Sequence, residues 1–84
     1  MTVRLRLFAA AREAAGRGAD EFFLEETPSL DALLDAANRR YGVTFAAVLK
    51  SARVWVNGED PTNGPTTVLT DGDEVAVLPP VSGG

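Results

Sequence analysis

The residues most open to chemistry are the last ones of the sequence, LPPVSGG, at positions 78–84. Pro79 and Pro80 cannot pair inside a sheet and favour an extended path. Positions 79–84 could therefore reach about 20 Å from the preceding residue, at about 3.3 Å per residue. Gly83 and Gly84 have no side chains, so their backbone can pass through a narrow channel and approach a reacting atom closely.

A free α-carboxylate on Gly84 would be the reactive group of this tail. Its unperturbed pKa of about 3.3–3.7 leaves it ionised at pH 7. A carboxylate is a poor electrophile until it is activated, and attack of its oxygen on the α-phosphate of ATP would give an acyl-adenylate. Another protein would have to bind the ATP and catalyse this step, so this chain would be the substrate. Taken alone, the tail is equally compatible with an inert, flexible terminus.

The rest of the chain offers few catalytic groups. It contains no cysteine and no histidine, which excludes a disulfide framework, a zinc–thiolate site, a thiolate nucleophile and an imidazole base. Asp71, Asp73 and Glu74 could hold a hard cation or act as acid and base. However, Asp before Gly favours a turn and no other ligand set accompanies these acids, so we interpret them as a solvated turn. The glycines form no phosphate-binding pattern.

The charge and hydropathy of the chain limit its partners. Eight Lys and Arg against twelve Asp and Glu give a net charge of −4, which disfavours nucleic acid and anionic membranes as partners. A basic protein surface is still allowed. No apolar run approaches the roughly 20 residues of a membrane span, and the start MTVRLRLF lacks the apolar core of a signal peptide. We therefore expect a cytoplasmic protein.

The local patterns predict one α+β domain over residues 1–78, followed by a tail over residues 79–84. Strict alternation predicts a strand in VRLRLF (3–8), and further strands are expected at 21–26, near an edge of the sheet, at 53–59, with an Asn-Gly turn, and at 74–78. A short helix, AAAREAAG, should be closed by Gly16. The clearest helix, TPSLDALLDAANRRYG (27–42), should start at Thr27 and Pro28 or at Ser29 and pack across a mixed sheet. Positions 45–49 predict one or two further helical turns.

The apolar face of that main helix should carry Leu30, Leu33, Leu34, Ala37 and Tyr41. Single aromatic residues elsewhere divide into two groups. Tyr41 and Trp55 are expected in the core or at its edge. Phe8 follows the inward Leu7, so it is either exposed, as an anchor for a partner, or packed against the following helix.

Three blocks of the sequence resemble the MoaD/ThiS family of sulfur carriers. DGDEVAVLPPVSGG (71–84) closely resembles the C-terminal signature of its molybdopterin synthase small subunits. LFAAAREAAG (7–16) is similar to the first strand and helix of the family. VWVNGE (54–59) is similar to the strand and turn before its last hairpin. The blocks occur in the family's order and span nearly the whole chain.

The resemblance implies a ubiquitin-like β-grasp fold and a specific chemistry for Gly84. A ubiquitin-activating-like adenylyltransferase would adenylate its carboxylate with ATP and Mg²⁺, while this chain itself binds no cofactor. A sulfur donor protein carrying a persulfide would then convert the carboxylate to a thiocarboxylate. In the large synthase subunit the sulfur would pass to cyclic pyranopterin monophosphate, forming the dithiolene of molybdopterin for the molybdenum cofactor.

The resemblance also implies roles for individual residues. Gly84 would be the site of activation and Gly83 would give clearance beside it, while the inserted arm would consist of Pro79, Pro80, Val81 and Ser82. Phe8 and Leu78 would belong to the partner surface. Asp60 departs from the family, because an apolar residue is common at this position. The chain would be a non-catalytic subunit of a hetero-oligomer with two small and two large subunits.

Three alternatives stay open at this point. The same tail chemistry would suit a carrier for thiamine or cysteine biosynthesis, because the partner selects the product. A ubiquitin-like modifier would instead join Gly84 to a lysine of another protein. An interaction module would have an inert tail.

Overall fold

Seven α-helices and β-strands occur in the computed structural model, which describes residues 1–25 and 27–80. In chain order they are β1 (Thr2–Leu7), α1 (Ala9–Ala15), β2 (Ala19–Phe23), α2 (Leu30–Tyr41), α3 (Val43–Leu49), β3 (Arg53–Val56) and β4 (Glu74–Leu78), with a single 3₁₀ turn at Gly64–Thr66. This order confirms the predicted α+β class.

The four strands form one mixed sheet in the order β2-β1-β4-β3. β1 is antiparallel to β2, β3 is antiparallel to β4, and the central strands β1 and β4 are parallel, with Leu7 opposite Val77. Because β1 and β4 are parallel, their carboxyl ends reach the same edge of the sheet. β2 and β3 are the edge strands, as predicted for the charged second strand.

The core lies between one face of the sheet and the helices. In β1 the inward residues Val3, Leu5 and Leu7 are fully buried, whereas Arg4 and Arg6 are exposed. This is the alternation that the sequence predicts for a half-buried strand. The buried apolar residues of the described ranges are Val3, Leu5, Leu7, Ala11, Phe22, Leu30, Leu33, Ala37, Phe45, Leu69, Val75 and Val77.

Ser29 caps the start of helix α2, which decides between the two predicted caps. The Ser29 hydroxyl accepts a hydrogen bond from the amide of Ala32 at 3.1 Å, so one of the free amides of the first turn is satisfied. Leu30, Leu33 and Ala37 are buried on its inner face, and Leu34 and Tyr41 are half-buried against the same core. The predicted apolar face is therefore confirmed.

The predicted bounds of the second strand are wrong, because β2 begins at Ala19 rather than at position 21 and ends at Phe23. Gly16, with φ of 81°, closes α1, and the chain pairs with β1 at once, Arg6 lying opposite Ala19. The strand includes Asp20, an acid that β-propensity disfavours.

Contacts with helix α2 explain why Asp20 is accepted in β2. Its carboxylate accepts hydrogen bonds from the Tyr41 hydroxyl at 2.6 Å and from the Arg40 guanidinium at 2.9 Å. Burial alone would raise the pKa of Asp20, but these hydrogen bonds outweigh burial and lower it. Burial and the hydrogen bond to Asp20 raise the pKa of Tyr41 in turn.

The two aromatic residues expected at the core take different places. The Tyr41 ring packs edge-on against Phe22 and Phe45, with centroid separations of 6.1 and 5.0 Å, which confirms its predicted position. Trp55 was expected in the core or at its edge, but it is 37% exposed on the face of the sheet away from the helices. Its neighbours Val54 and Val56 pack against the core, and alternation along β3 therefore turns Trp55 outward.

Candidate functional site

The predicted tail leaves the sheet from the end of β4. Leu78 is the last residue of that strand, is half-buried and lies opposite Arg53 of β3. Pro79 is buried and Pro80 is exposed. The other predicted tail residues, Val81, Ser82, Gly83 and Gly84, lie outside the described residues, so their assigned roles stay predictions.

Phe8 lies beside the root of this tail. Its amide donates a hydrogen bond to the carbonyl of Val77 at 3.3 Å, so the pairing of β1 with β4 continues one step beyond Leu7. Phe8 is 38% exposed, as the exposed alternative predicts, while its role as an anchor for a partner stays a prediction. The structure thus places Phe8 and Leu78 at the ends of two adjacent parallel strands. These two residues are 70 positions apart in the sequence but lie at the same edge of the sheet.

The start of helix α1 directs Phe8 outward. Phe8 has extended backbone angles, φ of −126° and ψ of 155°, and its carbonyl accepts a hydrogen bond from the Ala11 amide at 3.0 Å. Ala9 has a φ of 49°, a left-handed conformation that is uncommon outside glycine. The chain therefore turns from strand to helix without an intervening loop, and the Phe8 side chain lies at that corner.

The outer face of the sheet continues from Leu78 towards Trp55. Ala76 is two residues before Leu78 in β4 and lies opposite Trp55 in β3. Because residues two apart in a strand point to the same face, Leu78, Ala76 and Trp55 share this side of the sheet. We refer to Phe8, Leu78, Ala76 and Trp55 as the outer apolar surface. Sequence reasoning missed Trp55, although alternation with Val54 and Val56 was a signal that could have found it.

A turn follows the end of β3 and another precedes the start of β4. Asn57 and Gly58 have φ of 52° and 81°, the positive pair of a type I′ turn, which confirms the predicted Asn-Gly turn. The Asn57 side chain donates to the Asp73 carboxylate at 3.0 Å and accepts from the Glu74 amide at 2.9 Å. Asp60, which departs from the family pattern, is exposed shortly after this turn.

The acidic residues at positions 71–74 take part in the structure of the second turn. The Asp73 carboxylate accepts hydrogen bonds from the amide and the hydroxyl of Thr70 at 2.8 and 3.0 Å. Asp71 accepts one from the Thr2 amide at 2.8 Å. Burial would raise the pKa of Asp73, but its hydrogen bonds from Thr70 and Asn57 outweigh burial and lower it. These contacts confirm the interpretation of this segment as a turn.

Within residues 1–25 and 27–80, no three His, Cys, Asp or Glu residues are grouped so that they could hold a metal ion. None of the helices there combines the length and the apolar composition that a membrane span needs.

Comparisons with known sequences identify one matching family and two similar proteins. The model of the ThiS family matches residues 5–84. The molybdopterin synthase sulfur carrier subunit of Chlamydomonas reinhardtii is 34% identical over 87 residues, which cover all of both chains. The subunit of the same name from Anopheles gambiae is 33% identical over 86 residues, which cover 98% of this chain and 91% of its own.

Comparisons with solved structures confirm the ubiquitin-like β-grasp fold. SAMP1, the small archaeal modifier protein 1 of Haloferax volcanii, superposes with a TM-score of 0.88 at 26% identity, with both chains fully covered. A putative molybdopterin converting factor subunit 1 from Pyrococcus furiosus gives 0.81 at 26% identity, covering 96% of this chain and 99% of its own. A chain in the complex of subunits 1 and 2 of molybdopterin-converting factor from Helicobacter pylori gives 0.72 at 23% identity, a likeness of fold that fully covers both chains.

Proposed function

The chain belongs to the ThiS family, and we propose that it is the sulfur carrier subunit of a molybdopterin synthase. The observation that carries this proposal is the full-length likeness to carrier subunits of that name, at 34% and 33% identity. The sequence PPVSGG at positions 79–84 agrees with it. The geometry supports it further, because an exposed apolar surface adjoins the root of the tail.

The proposed chemistry takes place at Gly84. An oxygen of its carboxylate attacks the α-phosphorus of ATP in an adenylyltransferase that supplies Mg²⁺, and pyrophosphate leaves. The terminal sulfur of a persulfide on a donor protein attacks the acyl carbon, and AMP leaves. A second thiol then attacks the donor's sulfur and forms a disulfide with it, which cleaves the bond between that sulfur and the acyl-bound sulfur, so that the latter stays on Gly84 as a thiocarboxylate. This sequence needs no catalytic side chain from the carrier, in agreement with its lack of cysteine and histidine.

In this proposal the folded domain docks and the tail reacts. The outer apolar surface, with Phe8 and Leu78, contacts the large synthase subunit, and the tail enters its active site. Docking of the domain makes entry of the tail an intramolecular event, which raises its effective concentration at the reacting centre. The sulfur then passes to cyclic pyranopterin monophosphate. We propose a hetero-oligomer of two small and two large subunits for this step.

Intact-mass spectrometry tests the loading step. The full chain is incubated with a cognate adenylyltransferase, Mg·ATP and a persulfide donor, and a variant lacking Gly84 is the control. Exchange of one oxygen for one sulfur is expected in the full chain and no exchange in the control. The proposal fails if no cognate activator loads the full chain, or if the variant lacking Gly84 supports molybdopterin synthesis as well as the full chain does.

A second experiment separates the possible products of sulfur transfer. The loaded chain is mixed with the large synthase subunit and the pterin precursor, and molybdopterin formation is measured. A carrier for thiamine or cysteine biosynthesis would load with sulfur in the first experiment but yield no molybdopterin here.

The likeness to SAMP1, with a TM-score of 0.88, favours a protein modifier as the second candidate. In this case the activated Gly84 would form an isopeptide bond with a lysine of another protein. The candidate predicts conjugates of higher mass in cells that express the tagged chain, which disappear when Gly84 is deleted. If no such conjugates form and molybdopterin is produced in the second experiment, the modifier function is excluded and the carrier function is supported.

A further inference from the structure

A cluster of arginines lines a concavity next to Phe8. Arg4, Arg6 and Arg12, three of the eight Lys and Arg residues of the chain, line an open space of about 450 Å³. Its other lining residues are Leu7, Phe8, Gly18 and Ala19, and no carboxylate of the described residues is among them. In a protein with a net charge of −4, this concavity is a local concentration of positive charge.

The fold builds the concavity from β1, α1 and the start of β2. Arg4 and Arg6 point away from the core because they alternate with the buried residues of β1. Arg12 extends from α1 over Gly18, where a Cβ atom would lie 3.4 Å from the Arg12 Nε. The Gly18 backbone is held in turn, because its carbonyl accepts a hydrogen bond from the Leu7 amide at 2.9 Å. The three guanidinium groups therefore approach the space from two different elements.

Neighbouring acids neutralise this cluster only in part. Arg6 forms one salt bridge, to Glu74 at 3.7 Å, in which both side chains are well exposed to solvent. Arg4 lies opposite Glu21 and Glu74 in the strand register. Even so, within residues 1–25 and 27–80 no salt bridge includes Arg4 or Arg12. Two cations are thus left for a ligand.

We propose that this concavity binds an acidic segment of a protein partner, in which two or more Asp or Glu residues lie beside an apolar residue. Guanidinium groups bind carboxylates through paired hydrogen bonds. The rim residue Phe8 offers an apolar contact to the same segment and continues into the outer apolar surface. Charge complementarity of this kind directs encounter and fixes the orientation of the partner, which matters here because the acidic remainder of the chain repels the same segment.

The lining favours a peptide over a nucleotide. Among the described residues no glycine-rich phosphate loop lines the concavity, and the guanidinium of Arg6 already lies over the Phe8 ring, at 5.6 Å from its centroid, where a base would have to stack. The inference rests on the proposed function in one respect only, that the acidic segment belongs to a protein which also receives the tail.

Nuclear magnetic resonance of the full ¹⁵N-labelled chain tests the proposal. The probe is an acetylated and amidated hexapeptide of four glutamates and two leucines. The control peptide has lysine in place of each glutamate and keeps the two leucines. We expect the acidic probe to shift the backbone amides of residues 4–8, 12, 18 and 19, with an affinity that falls as salt is added. The lysine peptide should leave these amides unchanged.

Arginine variants give the matched comparison. Exposed ion pairs contribute modestly, so Arg12→Ala should weaken binding of the probe about two- to fivefold and Arg4→Ala with Arg12→Ala about tenfold. Arg39→Ala is the control, because Arg39 is exposed on α2 and does not line the concavity. If Arg39→Ala weakens binding of the probe equally, the loss of affinity depends only on the net charge of the chain, and the proposal is overturned.

Two further outcomes would also overturn it. One is the absence of shifts around the concavity at millimolar probe. The other is that equimolar sodium pyrophosphate displaces the probe and shifts the same backbone amides, which would identify a phosphate site instead. The titration uses neither ATP nor sulfur, so its result is independent of the sulfur-loading experiment. A chain that loads sulfur but does not bind the probe contradicts only this inference.

Discussion

The Phe8 amide donates a hydrogen bond to the Val77 carbonyl at 3.3 Å. This bond joins the corner between β1 and α1 to the residue that precedes Leu78. The exposed Phe8 ring is therefore held at the point where the chain leaves the sheet towards Pro79. A partner that contacts Phe8 has the root of the tail within its reach, which is the relationship that the proposed function requires.

Replacing Phe8 with a charged residue should weaken transfer without unfolding the domain. Phe8→Glu places a carboxylate where the partner is expected to bury an apolar ring, so affinity for the large synthase subunit should fall about tenfold or more. The Tm should change little, because the side chain is already exposed. Isothermal titration calorimetry and thermal unfolding give the two measurements.

Phe23→Glu is the matched control for this variant. Phe23 is 81% exposed and lies in the edge strand β2, outside the outer apolar surface. Affinity for the large subunit should stay near the unsubstituted value. A Phe8→Glu chain that binds and transfers sulfur normally would show that Phe8 is not part of the docking surface.

The Ser29 cap should contribute measurably to the stability of α2. Ser29→Ala removes the acceptor for the Ala32 amide and should lower the free energy of unfolding by about 1 kcal/mol in urea denaturation. Ser51→Ala serves as the control, because the Ser51 hydroxyl donates only a long bond of 3.4 Å to the Val48 carbonyl. Equal losses in the two variants would mean that the cap has no special contribution.

The contacts of Asp20 should make folding sensitive to acid. The pKa of Asp20 in the folded chain lies below its ordinary value of 3.8, because hydrogen bonds from Tyr41 and Arg40 outweigh the effect of burial. The unfolded chain therefore binds the proton more readily than the folded chain. The stabilisation is complete above the ordinary value and is lost as the pH falls through the lowered one.

Denaturation at a series of pH values between about 2 and 6 tests this dependence. Tyr41→Phe removes one hydrogen-bond donor and Asp20→Asn removes the titrating group, so both should flatten the acid limb of the stability curve. Asp35→Asn is the control, because Asp35 is exposed on α2. An unchanged acid limb in Asp20→Asn would assign the pH dependence to other groups.

The Asn57 side chain should stabilise the junction of β3 and β4. It bonds both the Asp73 carboxylate and the Glu74 amide, and asparagine tolerates the positive φ of this position better than alanine. Asn57→Ala should therefore lower the free energy of unfolding by about 1–2 kcal/mol. Asn63→Ala is the control, since among the described residues no hydrogen bond uses the Asn63 side chain. A loss no larger than that of the control would show that the turn needs no support from this side chain.

Local patterns predicted the elements of this fold well where neighbouring residues decide the conformation. Alternation over VRLRLF predicted β1, the spacing of Leu30, Leu33 and Ala37 predicted α2, and the Asn57-Gly58 pair predicted a turn after β3. Each prediction depends on backbone preferences and on the period of one element. The bounds of β2 were wrong, because Asp20 is stabilised by Tyr41 and Arg40, which lie far from it in the sequence.

The sequence by itself determined the family and the proposed reactive end, because both depend on residue types in order: the three family blocks, the bare Gly83-Gly84 pair and the absence of cysteine and histidine. Only the tertiary structure decided which residues share a surface. The parallel pairing of β1 with β4 brought Phe8 to the end of the strand that carries Leu78, and the placement of β1, α1 and the start of β2 gathered Arg4, Arg6 and Arg12 around one space. Strand order and register decide which of these residues lie close together. Both arise because one face of the whole sheet is buried against the helices.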